Sequence, residues 1–179
     1  MLFRSTIYTI GKIIGAFLIS LLIHQTISAQ NVIPRDSVLA GAKDVIGQTT
    51  YCGLVTIDAA GLPQTRTMNP FPVKDDFVIW FATSRTSEKV KEIRNNPNVN
   101  VYFADHGKAI GYVSISGKAE VIDDKELLVK MKRDYWEGIP DWKDVFVLIK
   151  IKPVSMEVID YKHGINNDPL TSKAPVVIF

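Results

Sequence analysis

The sequence predicts a mainly β fold of the α+β class. About six strands form an antiparallel sheet that closes toward a barrel, with two or three short helices inserted. Three observations predict it. Short apolar runs rich in Val, Ile, Tyr and Phe recur along the chain, and brief turns join most of them. Residues 111–122 alternate inward and outward with period two over their whole length. No strand–helix–strand pattern repeats, so the linkers favour antiparallel neighbours and a closed sheet.

The chain has 179 residues and begins with a segment of export type. Arg4 and Lys12 supply positive charge, residues 13–23 (IIGAFLISLLI) are apolar, and Ile27-Ser28-Ala29 ends in a small residue. This pattern predicts a Sec-type signal peptide over residues 1–29, and a periplasmic or extracellular protein. An uncleaved anchor is the alternative; if the signal is cleaved, no stable membrane anchor remains. The run is short for a bilayer span. There is no Arg-Arg pair and no cysteine beside the cleavage site, so neither twin-arginine export nor lipidation is expected.

The expected organisation is therefore a signal peptide at 1–29, one domain at 30–161 and a tail at 162–179. Without the signal, 19 Lys and Arg balance 19 Asp and Glu. Nothing in that balance argues for nucleic acid or an acidic membrane as partner. Cys52 is the only cysteine. It forms no intrachain disulfide, its apolar strand context reads as a small buried hydrophobe, and zinc sites built on several cysteines are excluded.

Residues 30–49 read as a helical lead-in, started near Pro34 and Asp36 or Ser37, with Val38, Leu39, Ala42, Val45 and Ile46 at helical spacing. Residues 50–58 read as a strand. A turn at 59–63 leads to a returning strand that ends near Asn69, because Pro70 and Pro72 cannot donate to a ladder. The turn Lys74-Asp75-Asp76 is a solvated one. After a polar turn at 106–108, strand 111–122 buries Val113, Ile115, Gly117, Ala119 and Val121. Asp123 with Glu126 resembles a capping box and opens a helix expected to reach Trp136. Residues 145–159 form the last strand, with Val145, Val147, Ile149 and Ile151 inward and a break or bulge at Pro153. The tail is turn-rich and ends in the apolar VVIF.

Residues 77–105 organise the rest. An expected strand at 77–82 runs into the hydroxyl-rich turn Thr83-Ser84-Arg85-Thr86. A helix follows over about 87–95 and stops at Asn96-Pro97, and a strand at 99–104 comes next. Hydroxyls thus meet a helix N-terminus, where unpaired N–H groups and the macrodipole suit an anion. Lys89 in the first turn and Arg85 before it are misplaced for the dipole unless an anion binds there. Ordinary capping, with both cations in water, is the other reading.

In order along the chain, Arg66-Thr67-Met68, then 76–83 (DFVIWFAT), Ser87-Glu88-Lys89, Ile93, Asn96-Pro97, 99–103 (VNVYF) and 112–119 (YVSISGKA) resemble the pyridoxamine 5′-phosphate oxidase-like family of split barrels. The general stress protein 26 branch is the nearest pattern. The resemblance spans roughly residues 38–160. It implies a six-stranded split barrel that binds FMN in clefts between the subunits of a homodimer. It implies that Arg66, Lys89 and Ser87 hold the phosphate. It implies that Thr67, Met68, Phe81, Ala82 and Thr83 run along the ribityl chain and ring. It also implies a flavin-dependent oxidoreductase that meets a small-molecule redox donor or acceptor, or else a non-catalytic flavin-binding stress module. Haem or a deazaflavin is the alternative ligand, and for haem His106 or His163 would have to supply the axial nitrogen. Read without the family, Arg66 is an exposed cation, Met68 core filler, and Thr67 and Thr83 simple strand formers. Trp80, Trp136 and Trp142 read as core or dimer contacts.

Two departures limit what carries over. No arginine follows Arg133, whereas the vitamin-making oxidases end in an Arg-containing substrate grip, so pyridoxamine phosphate oxidation is not expected. The Trp–Phe–Gly-type segment of the stress-protein branch is shortened here to residues 136–142 (WEGIPDW).

Overall fold

The computed structural model describes residues 33–179; the expected signal segment at 1–29 lies outside the described residues. Among the described residues seven strands form one antiparallel sheet: β1 (Cys52–Ile57), β2 (Pro63–Met68), β3 (Ile79–Ser84), β4 (Asn98–Ala104), β5 (Gly111–Ile122), β6 (Phe146–Asp160) and β7 (Val176–Ile178). The order is β2-β1-β4-β5-β6-β3, with β7 also on β6. The sheet curls without closing, because β2 and β3 end the path unpaired with each other. This is the expected split barrel, with one strand more than expected: the apolar tail pairs Val176–Ile178 with Ser155–Glu157.

β5 and β6 are the backbone of the sheet. The predicted alternation places Val113, Ile115 and Ala119 inside, while Ser116, Lys118 and Glu120 face out. β6 gives one edge to β5 and shares the other between β3 and β7. The irregularity at Pro153 is a bulge. Ser116 pairs with Ser155 but Gly117 pairs with Pro153, so Val154 is the extra residue. Gly117 is required there: a Cβ would stand 2.6 Å from the Lys152 carbonyl oxygen and 2.8 Å from Ile151 Cγ2.

Local boundaries shift for physical reasons. β3 starts at Ile79, two residues late, because Phe77 adopts a left-handed φ of 54° in the preceding turn. Its far end takes in Thr83 and Ser84, since pairing continues to Ser84 opposite Phe146. Val145 belongs to a short helix and is exposed, not an inward strand residue. The expected cap at Asp123 moves one place: β5 runs to Ile122, Asp123 pairs with Arg85, and Asp124 accepts the N–H groups of Glu126 and Leu127. That helix ends at Lys130, and residues through Trp136 continue as a separate 3₁₀ turn, Asp134–Gly138.

The helices are α1 (Arg35–Gly47), α2 (Glu88–Asn95), α3 (Lys125–Lys130) and α4 (Trp142–Val145). α1 buries Val38, Ala42 and Val45. Asp160, at the end of β6, is buried and meets His163 Nδ1 at 2.5 Å. Asp44 on α1 accepts from Lys162 Nζ at 3.2 Å, so α1 and the chain after β6 are tied by ion pairs. Leu128, Trp136 and Leu148 form a second core on the other face of the β3–β6 pair, with Trp80, Ala82, Trp142 and Phe146 packed around it. All three tryptophans therefore take the core reading.

Gly117→Ala should lower stability by about 1–3 kcal/mol through overpacking. Gly53→Ala on β1, whose added Cβ would have its nearest neighbour at 3.7 Å, should cost far less. Urea midpoints of the two variants check this.

Candidate functional site

The split between β2 and β3 is where the chemistry-bearing side chains meet. Alternation on β2 turns Arg66 to the same face as Leu54 and Thr56 of β1. Three residues separate the end of β3 from α2, which carries its amphipathic face inward through Val90, Glu92 and Ile93. Glu92 thereby reaches Arg66. The Arg66 Nη2 donates to Glu92 Oε1 at 2.7 Å, and its Nη1 donates to Thr56 Oγ1 at 2.5 Å. The Thr56 hydroxyl donates in turn to Glu92 Oε2 at 2.5 Å. Three elements are closed into one hydrogen-bonded ring.

Beside this ring lie the end of β3 and the start of α2. Lys89 Nζ donates to Thr83 Oγ1 at 3.2 Å, and Thr83 and Ser87 hydroxyls lie 3.4 Å apart. Ser87 occupies the N-cap position but its side chain makes no capping bond. The first-turn N–H groups of Glu88 and Lys89 have no partner among the described residues.

The electrostatics are asymmetric. Burial pulls the Lys89 ammonium below its ordinary value, the Arg66 charge lowers it further, and Glu92 offsets part of this. For Glu92, burial alone would push the carboxyl up; the hydrogen bonds from Arg66 and Thr56, with the Arg66 charge, outweigh it and hold the carboxyl below its usual range. One buried carboxylate thus serves two cations, and it is engaged with Arg66. Among the described residues, Lys89 finds only a hydroxyl, that of Thr83, as a hydrogen-bond partner. An anion carrying several acceptor oxygens fits this arrangement, because it would satisfy Lys89, the two hydroxyls and the first-turn N–H groups together.

The structure gathers Arg66, Thr83, Ser87 and Lys89 and separates the other expected site residues. Met68 shares the face of Arg66, opposite Cys52. Thr67 is on the opposite face and lines a shallow groove with Tyr102 and His106. Phe81 is fully buried in the barrel interior, and Ala82 packs into the Trp136 core. Arg85 is not part of the cluster: it forms an ion pair with Asp123 and donates to the Asp144 carbonyl at 2.9 Å. Burial raises the Cys52 thiol to about 12, which leaves it unreactive. His106 stacks on Tyr102 and His163 is bound to Asp160.

Glu92 and Thr56 were not evident as site residues from the sequence. The available signal is that Lys89, Glu92 and Ile93 share one face of α2 at i, i+3 and i+4, which puts a carboxylate on a buried stripe. The linkage has a definite sign. The Glu92 carboxyl has a folded value below its ordinary 4.5, so its contribution to stability is complete above pH 4.5 and is lost as pH falls through the folded value. Glu92→Gln should flatten that acid limb in pH-dependent denaturation, and an unchanged limb would contradict the assignment.

The pyridoxamine 5′-phosphate oxidase family pattern matches residues 40–162. General stress protein 26 of Bacillus subtilis (strain 168) is 31% identical over 121 residues, covering 65% of this chain and 84% of that protein. The crystal structure of General Stress Protein 26 from Bacillus anthracis str. Sterne is 24% identical, with a TM-score of 0.61 over 79% of this chain and 98% of that one. A solved F420 reductase is 22% identical, with a TM-score of 0.52 over 65% of this chain and 95% of its own. The chain belongs to the pyridoxamine 5′-phosphate oxidase family, within which it is similar to general stress protein 26.

Proposed function

We propose that this chain is an exported, homodimeric flavoprotein that binds FMN and acts as a flavin-dependent oxidoreductase. The observation that carries the proposal is the cluster at the split: two cations, two hydroxyls and two open N–H groups around a single carboxylate. Such a set suits a phosphate dianion better than a neutral ligand. In this reading Lys89, Ser87 and Thr83 take the phosphate oxygens. Arg66 adds its remaining donors from a position fixed by Glu92 and Thr56. Met68 continues along the same face toward the ring, while Thr67, Phe81 and Ala82 contribute main chain.

The bound flavin would supply hydride and electron transfer, and the protein would supply binding, orientation and electrostatics. The family supports a flavin ligand. Export rests on the charged and apolar pattern of residues 1–29, and it implies that the cofactor is acquired outside the cytoplasm.

Lys89→Gln should weaken FMN binding tenfold or more, about 1.4 kcal/mol, and leave riboflavin binding unchanged. Quenching of flavin fluorescence on titration measures both. Equal FMN affinity in the variant and the parent would refute the phosphate assignment. Turnover with a nicotinamide donor separates the enzyme from a non-catalytic flavin-binding module, which would hold FMN without reducing it.

A further inference from the structure

A cavity of about 470 Å³ lies between the C-terminal half of α1 and the segment joining β2 to β3. This volume is in the range of small-molecule sites. None of Arg66, Thr83, Ser87 or Lys89 lines it. Its apolar wall is made chiefly by Ile46, Phe71, Phe77 and Phe103, with Thr49, Thr50 and Asn69 beside it. Its polar rim carries Lys43, Lys74 and Arg133, and no carboxylate lines it.

The cavity is held in shape. Arg133 Nη2 donates to the carbonyl oxygens of Asn69 at 3.1 Å and Pro70 at 2.8 Å. Its guanidinium stands 4.3 Å over the Phe71 ring, which fixes the plane of the cation against the wall. Phe77 is buried in a left-handed conformation with φ of 54°, which a bulky side chain adopts only where its surroundings enforce it. Its ring packs on Phe179 at 5.8 Å.

The charge is only partly compensated. Lys43 meets Asp75 at 2.8 Å, but that carboxylate is 94% exposed and points into solvent. Lys74 and Arg133 have no carboxylate partner among the described residues. A flat apolar body satisfies the aromatic wall and a single negative charge satisfies the rim. We propose that this cavity is a second ligand site, separate from the Arg66–Lys89 cluster, and that it takes an aromatic carboxylate.

The probe is 2-naphthoate, titrated into the full-length protein by calorimetry, with the neutral 2-naphthalenemethanol as comparator. The expected result is one naphthoate per chain, bound at least tenfold more tightly than the alcohol. Lys43→Gln with Lys74→Gln should lower that preference at least threefold, Arg133 remaining; both side chains are exposed, so the fold tolerates the change. Lys89→Gln, in the other cluster, should leave naphthoate affinity within twofold. The proposal is overturned by any of four results. These are no naphthoate binding at millimolar concentration, equal binding of the alcohol, a preference undiminished in the double variant, or loss of naphthoate binding in Lys89→Gln.

Discussion

The ion pair between Arg66 and Glu92 is the constraint on which the site depends. It joins the open edge strand β2 to α2, and Thr56 locks it onto β1. A buried pair of this kind is weak evidence for net stability, since desolvation offsets much of the attraction. Its geometric effect is stronger. Losing either partner leaves an isolated charge in a half-dry setting, at about 3–5 kcal/mol for a buried pair. The pair therefore fixes where α2 begins relative to β2, and so where Lys89, Ser87 and Thr83 meet.

The sheet makes room for this. Antiparallel pairing runs without interruption from β2 through β1, β4, β5 and β6 to β3 and then stops. A fully closed barrel would bring β2 against β3 and leave no space between them for the start of α2. The two cores stabilise the two halves of the curl: Val101, Phe103, Ile115 and Ile149 within, and Trp136 with Leu128 outside. The tail departs from the family's vitamin-making oxidases in a constructive way. It carries no arginine; residues 176–178 add a strand to β6, bury Val177 and set the Phe179 ring against Phe77.

Much of this was legible in the sequence because it follows from period and punctuation. β5 was bounded at 111–122 by alternation alone, and Asn96-Pro97 marked the end of α2. Pro153 announced the bulge, although only the structure shows Gly117 to be the residue that accommodates it. The misplaced boundaries lie where tertiary contacts override local rules. Asp123 was the better capping-box match, but it is taken by Arg85, and Asp124 caps instead. The helix expected to reach Trp136 stops at Lys130, where the chain turns to bury Trp136. Of the expected site, the residues at the turn were readable because hydroxyls and cations at a helix start are a local signal. Glu92 was not, because its role comes from a partner 26 residues away on β2. Nor was the burial of Phe81, because facing inward or outward depends on which strand lies beside β3.

Flavin phosphate binding at the split is a proposal that the visible spectrum of the full-length protein, recorded after equilibration with FMN and desalting, puts to the test. A retained oxidised-flavin spectrum at one FMN per chain is expected. A protein that emerges colourless, or with a haem-type Soret band, would contradict the proposal.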